Sequence, residues 1–358
     1  MAIPEEHQRL PLQPKICRFP QPNHSDFVRW GPSPSPFQKS FIVSSFNPTT
    51  HSPSLLSYTF DPSSSSPPDP TTATWTPPAR VTSLASAPSL FAAATASGSV
   101  HVFPSSSVEM GMEMEPVVEV GAHAGRVGCV DLGDGVVVGE CCVSVGEEDG
   151  KVNVVGLGEG EGKLRNVFDG NGLVSYTAVK WASGKEFVTG GVGVGLQWWD
   201  LRRPVPAVAQ LKDIWDKGAT SGIIHSIDIH PSRKHTCLAG GSLGTVLAWD
   251  LRWQQQPVIL SGGGLGDSVT ASSSQSEVWE VQFDCYTKSS SNNISSSRIL
   301  PAMICSEDGI LAVVEQGEEP SDLLAEPCAI NSFDIDRHNP SDIICCLEWE
   351  SIAIISRP

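Results

Sequence analysis

The sequence predicts an all-β chain folded as a seven-bladed propeller. Three observations lead there. A short strand-ending phrase recurs at intervals of 41 to 65 residues. Each copy follows two more strand-like segments, separated by turn-forming residues. Gly (33) and Pro (28) are plentiful and helix-period stretches are hard to find, which favours many short strands joined by turns.

The phrase is clearest in QWWDLRRPVP (197–206) and AWDLRWQQQP (248–257). Aligning the chain on a turn, then a five-residue alternating strand ending in a large apolar residue, gives seven copies. They end at Phe60, Phe103, Val155, Trp199, Trp249, Val314 and Ile355, with gaps of 43, 52, 44, 50, 65 and 41 residues. Only two copies spell Trp-Asp; Phe60-Asp61 keeps the Asp.

A second strand precedes each copy across a tight turn, as in CCVSVGEEDGKVNVV, HTCLAGGSLGTVLAW and PAMICSEDGILAVV. Gly, Asp and Ser at these turns suit a hairpin that needs positive φ. Further upstream lies another strand: 28–30, 81–84, 127–132, 176–181, 224–231, 278–284 and 330–336. A repeat of this length with Trp-Asp closing its third strand is the WD40 signature. The predicted blades run roughly 27–61, 80–104, 123–156, 174–201, 222–251, 277–315 and 329–356, within one propeller domain spanning 1–358. VVEVGAHAG (117–125) and VPAVAQL (205–211) fall where outer fourth strands belong. A ring is expected because a lone four-stranded sheet cannot cover both its faces, whereas radial packing makes each sheet cover its neighbours.

The last copy, ESIAIISRP, leaves its blade without a fourth strand, and a bare edge invites aggregation. KICRF (15–19) alternates and precedes the first blade. It is expected to pair beside the last blade and latch the ring. The biased stretches 61–70, 105–116, 156–163, 262–276 and 287–297 lack core-forming residues and are expected as surface loops.

Charge and composition narrow the function. A net charge of −17 and the absence of any run of five Lys or Arg argue against a phosphate-backbone binder. No apolar stretch approaches the roughly 18 residues of a membrane helix. MAIPEEHQRL lacks the apolar segment of a secretory signal, so the ten Cys are expected as reduced, buried thiols. Cys141-Cys142 and Cys345-Cys346 are strand neighbours pointing to opposite faces, a poor arrangement for a disulfide or metal clip.

Apparent chemical motifs resolve into structure. GGSLG (240–244) has the nucleophile-elbow pattern, but a strand follows it where that motif needs a helix. GGVGVG (190–195) also leads into a strand and offers no helix N-terminus to an anion. His225, His230 and His235 lie five apart, an odd spacing that divides them between strand faces. No catalytic, cofactor-binding or metal-binding residue is assigned, and no cofactor or small-molecule substrate is expected.

The WD-motif positions Trp199, Asp200, Arg202, Trp249, Asp250 and Arg252 are read as mainly structural. Each Asp would cap a strand end, and each Arg would be solvated or paired to a nearby acid. The functional alternative is partner docking: WD40 proteins carrying W-D-x-R can bind the adaptor of cullin-4 ubiquitin ligases, which would make this chain a substrate receptor.

Ordered stretches resemble one WD40 family. They are HAGRVGCVDL, CVSVGEEDGKVNVV, HSIDIHPSRKHTCLAGGSLGTVLAWDLR, SEVWEVQFD, MICSEDG and CAINSFDIDRHNPSDIICCLEWESIAIISRP, spanning blades three to seven. Trp30 in FVRWGP resembles the family's blade-one start. The family is the small propeller nucleoporin of the Y-shaped outer-ring complex of the nuclear pore, the forty-three-kilodalton type, in a plant form. The chain departs from it in blade one and in its Ser/Pro-rich insertions. The resemblance implies a non-enzymatic scaffold at the nuclear envelope, supporting pore assembly, mRNA export and protein import. Its implied partners are the α-solenoid and propeller subunits of the Y-complex short arm, with no nucleic acid and no membrane insertion. Such interfaces rest on a few aromatic or Arg anchors, for which Trp215 and Trp253 are candidates.

Overall fold

The computed structural model describes residues 14–32, 37–62, 68–108, 113–133, 139–158, 162–203, 207, 209–211, 222–250, 257–261, 276–287, 299–349 and 351–358. Their strands form seven four-stranded sheets. Each sheet runs inner, second, third, outer. Blade 1 is His24–Trp30, Lys39–Asn47, Ser52–Phe60 and Asp69–Trp75. Blade 2 is Val81–Ser86, Leu90–Thr95, Ser99–Pro104 and Val118–Gly121. Blade 3 is Val127–Leu132, Gly139–Gly146, Lys151–Leu157 and Gly162–Asp169. Blade 4 is Ser175–Ser183, Glu186–Val192, Leu196–Asp200 and Ala209–Leu211. Blade 5 is Ile224–Ile229, Thr236–Gly241, Val246–Asp250 and Val258–Ser261. Blade 6 is Val278–Phe283, Ala302–Ser306, Ile310–Val314 and Ser321–Ala325. Blade 7 is Ile330–Ile335, Asp342–Leu347 and Ser351–Ser356, with Lys15–Pro20 as its outer strand.

The latch is therefore present. Lys15–Pro20 pairs antiparallel with Ser351–Ser356, from Lys15 opposite Ser356 to Pro20 opposite Ser351. Alternation explains the pairing. Ile16 packs against the blade 6–7 core, while Phe19 packs against the blade 7–1 core. Pro20 sits at the strand's last position on a sheet edge, where its missing N–H costs nothing.

The core lies between blades. Ile352 and Ile354 join Val28, Trp30 and Phe41 of blade 1, while Ala353 and Ile355 face blade 6. Being covered on both faces, such strands read as unbroken apolar runs. Cys345 and Cys346 divide in the same way, one toward blade 6 and one toward blade 1. All ten thiols are free, and seven are buried.

The turns follow their chemistry. Gly150 (φ +64°) and Gly309 (φ +84°) take the left-handed conformation between second and third strands. Residues 242–244 form a short 3-10 turn and then enter a strand, so GGSLG is a hairpin turn.

Some expected loops are partly structural. Within 105–116, Ser105–Val108 is a 3-10 turn, and Val108 and Met114, each 1% exposed, sit in the blade 1–2 core. The outer strands of blades 1 and 3 begin at Asp69 and Gly162, inside segments read as loops. Residues 63–67, 109–112, 159–161, 262–275 and 288–297 lie outside the described residues.

Candidate docking surfaces

In an antiparallel meander, inner-to-second and third-to-outer turns share one face of the ring, here the lower. Second-to-third turns and the links between blades share the other, upper face.

The Trp-Asp phrase sits at the lower face. Trp199 is 3% exposed and stacks on Phe187 at 6.0 Å, and its Nε1 donates to Thr189 Oγ1 at 2.9 Å. Trp249 takes the same place in blade 5, opposite Cys237. There Ala239 stands where Thr189 stands in blade 4, and Trp249 Nε1 has no hydrogen-bond partner among the described residues. Asp200 ends its strand and accepts from Arg202 N at 3.0 Å and Arg202 Nε at 2.8 Å. Arg202 Nη2 also reaches Glu186 Oε1 at 2.5 Å. Hydrogen bonding from Arg202 holds the Asp200 carboxyl below its ordinary value. Asp250 ends the third strand of blade 5, opposite Thr236. Arg252, Trp215 and Trp253 lie outside the described residues.

Blade 3 holds a relay that sequence reasoning missed. His123 Nδ1 meets Asp149 Oδ1 at 3.2 Å, and His123 Nε2 meets Ser144 Oγ at 2.9 Å. Ser144 occupies the position of Thr189 and Ala239. The hydroxyl column thus serves a His in blade 3 and a Trp in blade 4, and is lost in blade 5. Burial holds the His123 imidazole below its ordinary value, outweighing Asp149. The available signal was HAG (123–125) followed by EDG (148–150).

Around the axis, every inner strand carries a bulge at the same place. The bulged residues are Asp26, Thr82, Gly128, Thr177, His225, Trp279 and Asn331. A bulge re-aims a side chain without breaking the sheet. All seven residues line one cavity of about 840 Å³ that reaches the upper-face residues Pro48, Arg126 and Glu348. Gly128 is required there: a Cβ would lie 2.1 Å from Tyr176 O of the next blade.

Deeper in the channel, a polar belt ties the blades together. Asp131, Asp228 and Asp334 occupy the fifth position of their inner strands. Each accepts a backbone N–H from the next blade: Trp181 at 2.8 Å, Phe283 at 2.8 Å and Trp30 at 2.9 Å. Lys180 bridges Asp131 at 3.3 Å and Asp228 at 4.0 Å, and Arg29 meets Glu280 at 2.6 Å. Burial pushes the Asp228 and Asp334 carboxyls up, against Lys180 and Arg29 respectively. Paired charges and bonds between blades make this axis a brace.

The three histidines are dispersed. His225 pairs with Glu277 at 2.6 Å and lies 4.9 Å from the Trp279 ring. His230 accepts from Ser232 N at 3.2 Å, and His235 lies 6.0 Å from the Trp198 ring. Exposed aromatic side chains lie elsewhere, at Phe37 and Trp349. Trp349, 65% exposed, projects from the upper turn between the second and third strands of blade 7.

No protein-family model matches the chain. It is 54% identical over 361 residues to Nuclear pore complex protein NUP43 of Arabidopsis thaliana, covering 96% of this chain and 98% of that protein. It is also 27% identical over 141 residues to Nucleoporin Nup43 of Mus musculus, covering 39% of this chain and 33% of the mouse protein. Identity at this level, over 96% of the chain, places the chain in the Nup43 nucleoporin family.

Proposed function

We propose that this chain is a non-catalytic scaffold of the nuclear pore complex at the nuclear envelope. More finely, it is a subunit of the outer-ring Y-complex, held by α-solenoid and propeller subunits of the short arm. In that place it supports pore assembly, mRNA export and protein import. One observation carries the reading: 54% identity over 96% of the chain with a protein named for the nuclear pore complex. The physical character of the fold supports it. A ring braced by buried polar pairs presents two faces and a rim without a moving part. A chain of net charge −17 suits protein partners better than nucleic acid.

Affinity purification of the tagged chain from plant cells, followed by mass spectrometry, tests it. Outer-ring nucleoporins should be recovered, and the fluorescent fusion should mark the nuclear rim. Recovery of none of them would sink the proposal. The ligase-receptor reading rests on the two W-D-L-R phrases alone, and Arg202 already meets Asp200 and Glu186.

A further inference from the structure

Against the acidic whole, one strip of this molecule is basic. It crosses blades 3, 4 and 5 at the lower rim. Arg165, Lys185, Arg202, Arg203 and Lys234 stand there with side chains 48% to 67% exposed. Three carboxylates lie beneath them, only 9% to 19% exposed: Glu140, Glu186 and Asp200. Glu140 holds Arg165 at 2.5 Å and Lys185 at 2.9 Å, joining blade 3 to blade 4. Glu186 holds Arg202 at 2.5 Å and Lys234 at 3.0 Å, joining blade 4 to blade 5. The acids fix the cations from below, and the cations face solvent. Among these eight described side chains five are cations and three are carboxylates, in a chain of net charge −17.

Two further features lie in the strip. A groove of about 60 Å³ runs between Arg165, Asn166 and Val167 of blade 3 and Trp199, Asp200, Leu201 and Arg203 of blade 4, the Asp200 carboxylate being held by Arg202. It has room for one small aliphatic side chain against Val167, Leu201 and the Trp199 ring. Beside it, Gly162–Asp169 is the outermost strand of its sheet, eight residues long, with Leu164 44% exposed. An outer edge of that kind offers backbone groups to an added extended segment.

We infer that this strip docks an extended acidic peptide segment of a protein partner, with a small aliphatic residue in the groove. The inference rests on the scaffold reading for the partner's identity, an outer-ring nucleoporin, but not for the chemistry. Nucleic acid fits worse. Carboxylates interleaved between the cations oppose a continuous phosphate backbone, whereas a peptide can space its own acids between them. The strip's charges also set specificity and encounter rate more than raw affinity, which suits a partner that must be selected.

The test uses the full-length chain and a fluorescein-labelled synthetic peptide alternating Glu and Val, read by fluorescence anisotropy. A strip variant carries Arg165→Glu, Lys185→Glu and Arg203→Glu. A charge-matched control carries Lys15→Glu, Arg126→Glu and Lys151→Glu, away from the strip. The peptide should bind wild type and control alike, weaken as salt rises, and bind the strip variant about tenfold more weakly or less. A milder pair, Arg203→Ala with Lys234→Ala, should give an intermediate loss and guards against misfolding of the triple variant. Absence of peptide binding, equal loss in the control, or preference for a labelled single-stranded RNA would each overturn the inference. In parallel purifications, equal recovery of outer-ring nucleoporins by wild type and strip variant would overturn it and leave the scaffold reading standing. Failure of the wild type to recover them, with peptide binding intact, would sink the scaffold reading alone.

Discussion

Arg357→Ala should destabilise the ring sharply. Arg357 follows the third strand of blade 7, and its side chain is 4% exposed; Asp284, after the inner strand of blade 6, is fully buried at 0%. Nη1 donates to Asp284 Oδ2 at 2.6 Å, and Nη2 donates to Asp284 Oδ1 at 3.0 Å and Pro340 O at 2.5 Å. The guanidinium also lies 4.4 Å from the Tyr286 ring centre. Removing one partner of a buried ion pair costs about 3–5 kcal/mol, because the other charge stays in the protein. Asp284 would keep Tyr286 N at 2.9 Å and the Thr287 hydroxyl at 2.5 Å, which puts the cost near the lower end. An unfolding entropy of about 2.1 cal/mol/K per residue gives roughly 0.75 kcal/mol/K if all 358 residues unfold together. About 3 kcal/mol then lowers the melting temperature by about 4 °C, readable by differential scanning fluorimetry. The double variant Arg357→Met, Asp284→Asn removes both charges and keeps an acceptor for Tyr286. It should recover at least about half of the loss, since a stranded charge is the dominant cost. A shift under about 1 °C for the single variant, or a double variant as unstable as the single, would refute the reasoning.

Acid should weaken the fold through its buried histidines. Burial lowers the proton affinity of His101, His123 and His230 in the folded protein. Their contribution is thus present above the ordinary His value of about 6.5 and lost as pH falls through it, so melting temperature should drop from pH 7.5 to 5.5. A flat profile across that window would contradict the assignment. Thr189→Val keeps the shape but strands Trp199 Nε1, and should cost about 1–3 kcal/mol by urea unfolding. The converse, Ala239→Ser, supplies the hydroxyl missing beside Trp249 and should not destabilise; a loss above about 1 kcal/mol would show the site has no room for it. Gly128→Ala drives a Cβ to 2.1 Å from Tyr176 O and 3.2 Å from Thr177 Cα, both backbone atoms of the neighbouring blade. It should cost about 2 kcal/mol or more, and wild-type stability would show that the blades can slide apart.

The second and third strands were legible in the sequence because burial on both faces demands apolar runs. SIAIIS and DIICCL could hardly be anything else. The outer strands were legible only in part: those of blades 2, 4 and 7 stand out in the sequence, and those of blades 1 and 3 do not. Lys163, Leu164, Arg165 and Asn166 are all exposed, so selection for a core leaves no pattern there. Val108 and Met114 were hidden for another reason: they alternate with Glu and Gly in a Ser- and Glu-rich stretch that reads as a loop, yet both sit in the blade 1–2 core. The docking surfaces were still less visible. Glu140 and Lys185 are 45 residues apart, and only sheet stacking brings them to 2.9 Å. The axial column was readable in principle, since Asp131, Asp228 and Asp334 share one register. Recognising it needed the bulge that shifts every inner strand by one residue.

The seventh sheet draws on both ends of the polypeptide, so synthesis order matters. On the ribosome, residues 15–20 emerge first, but the strand they must pair with, 351–356, emerges last. Until then six sheets can assemble while Ile16 and Phe19 have no home. Contacts of such long sequence separation form slowly, and nascent apolar segments left waiting are open to aggregation. The cell must therefore shelter the latch segment while most of the ring is still being translated.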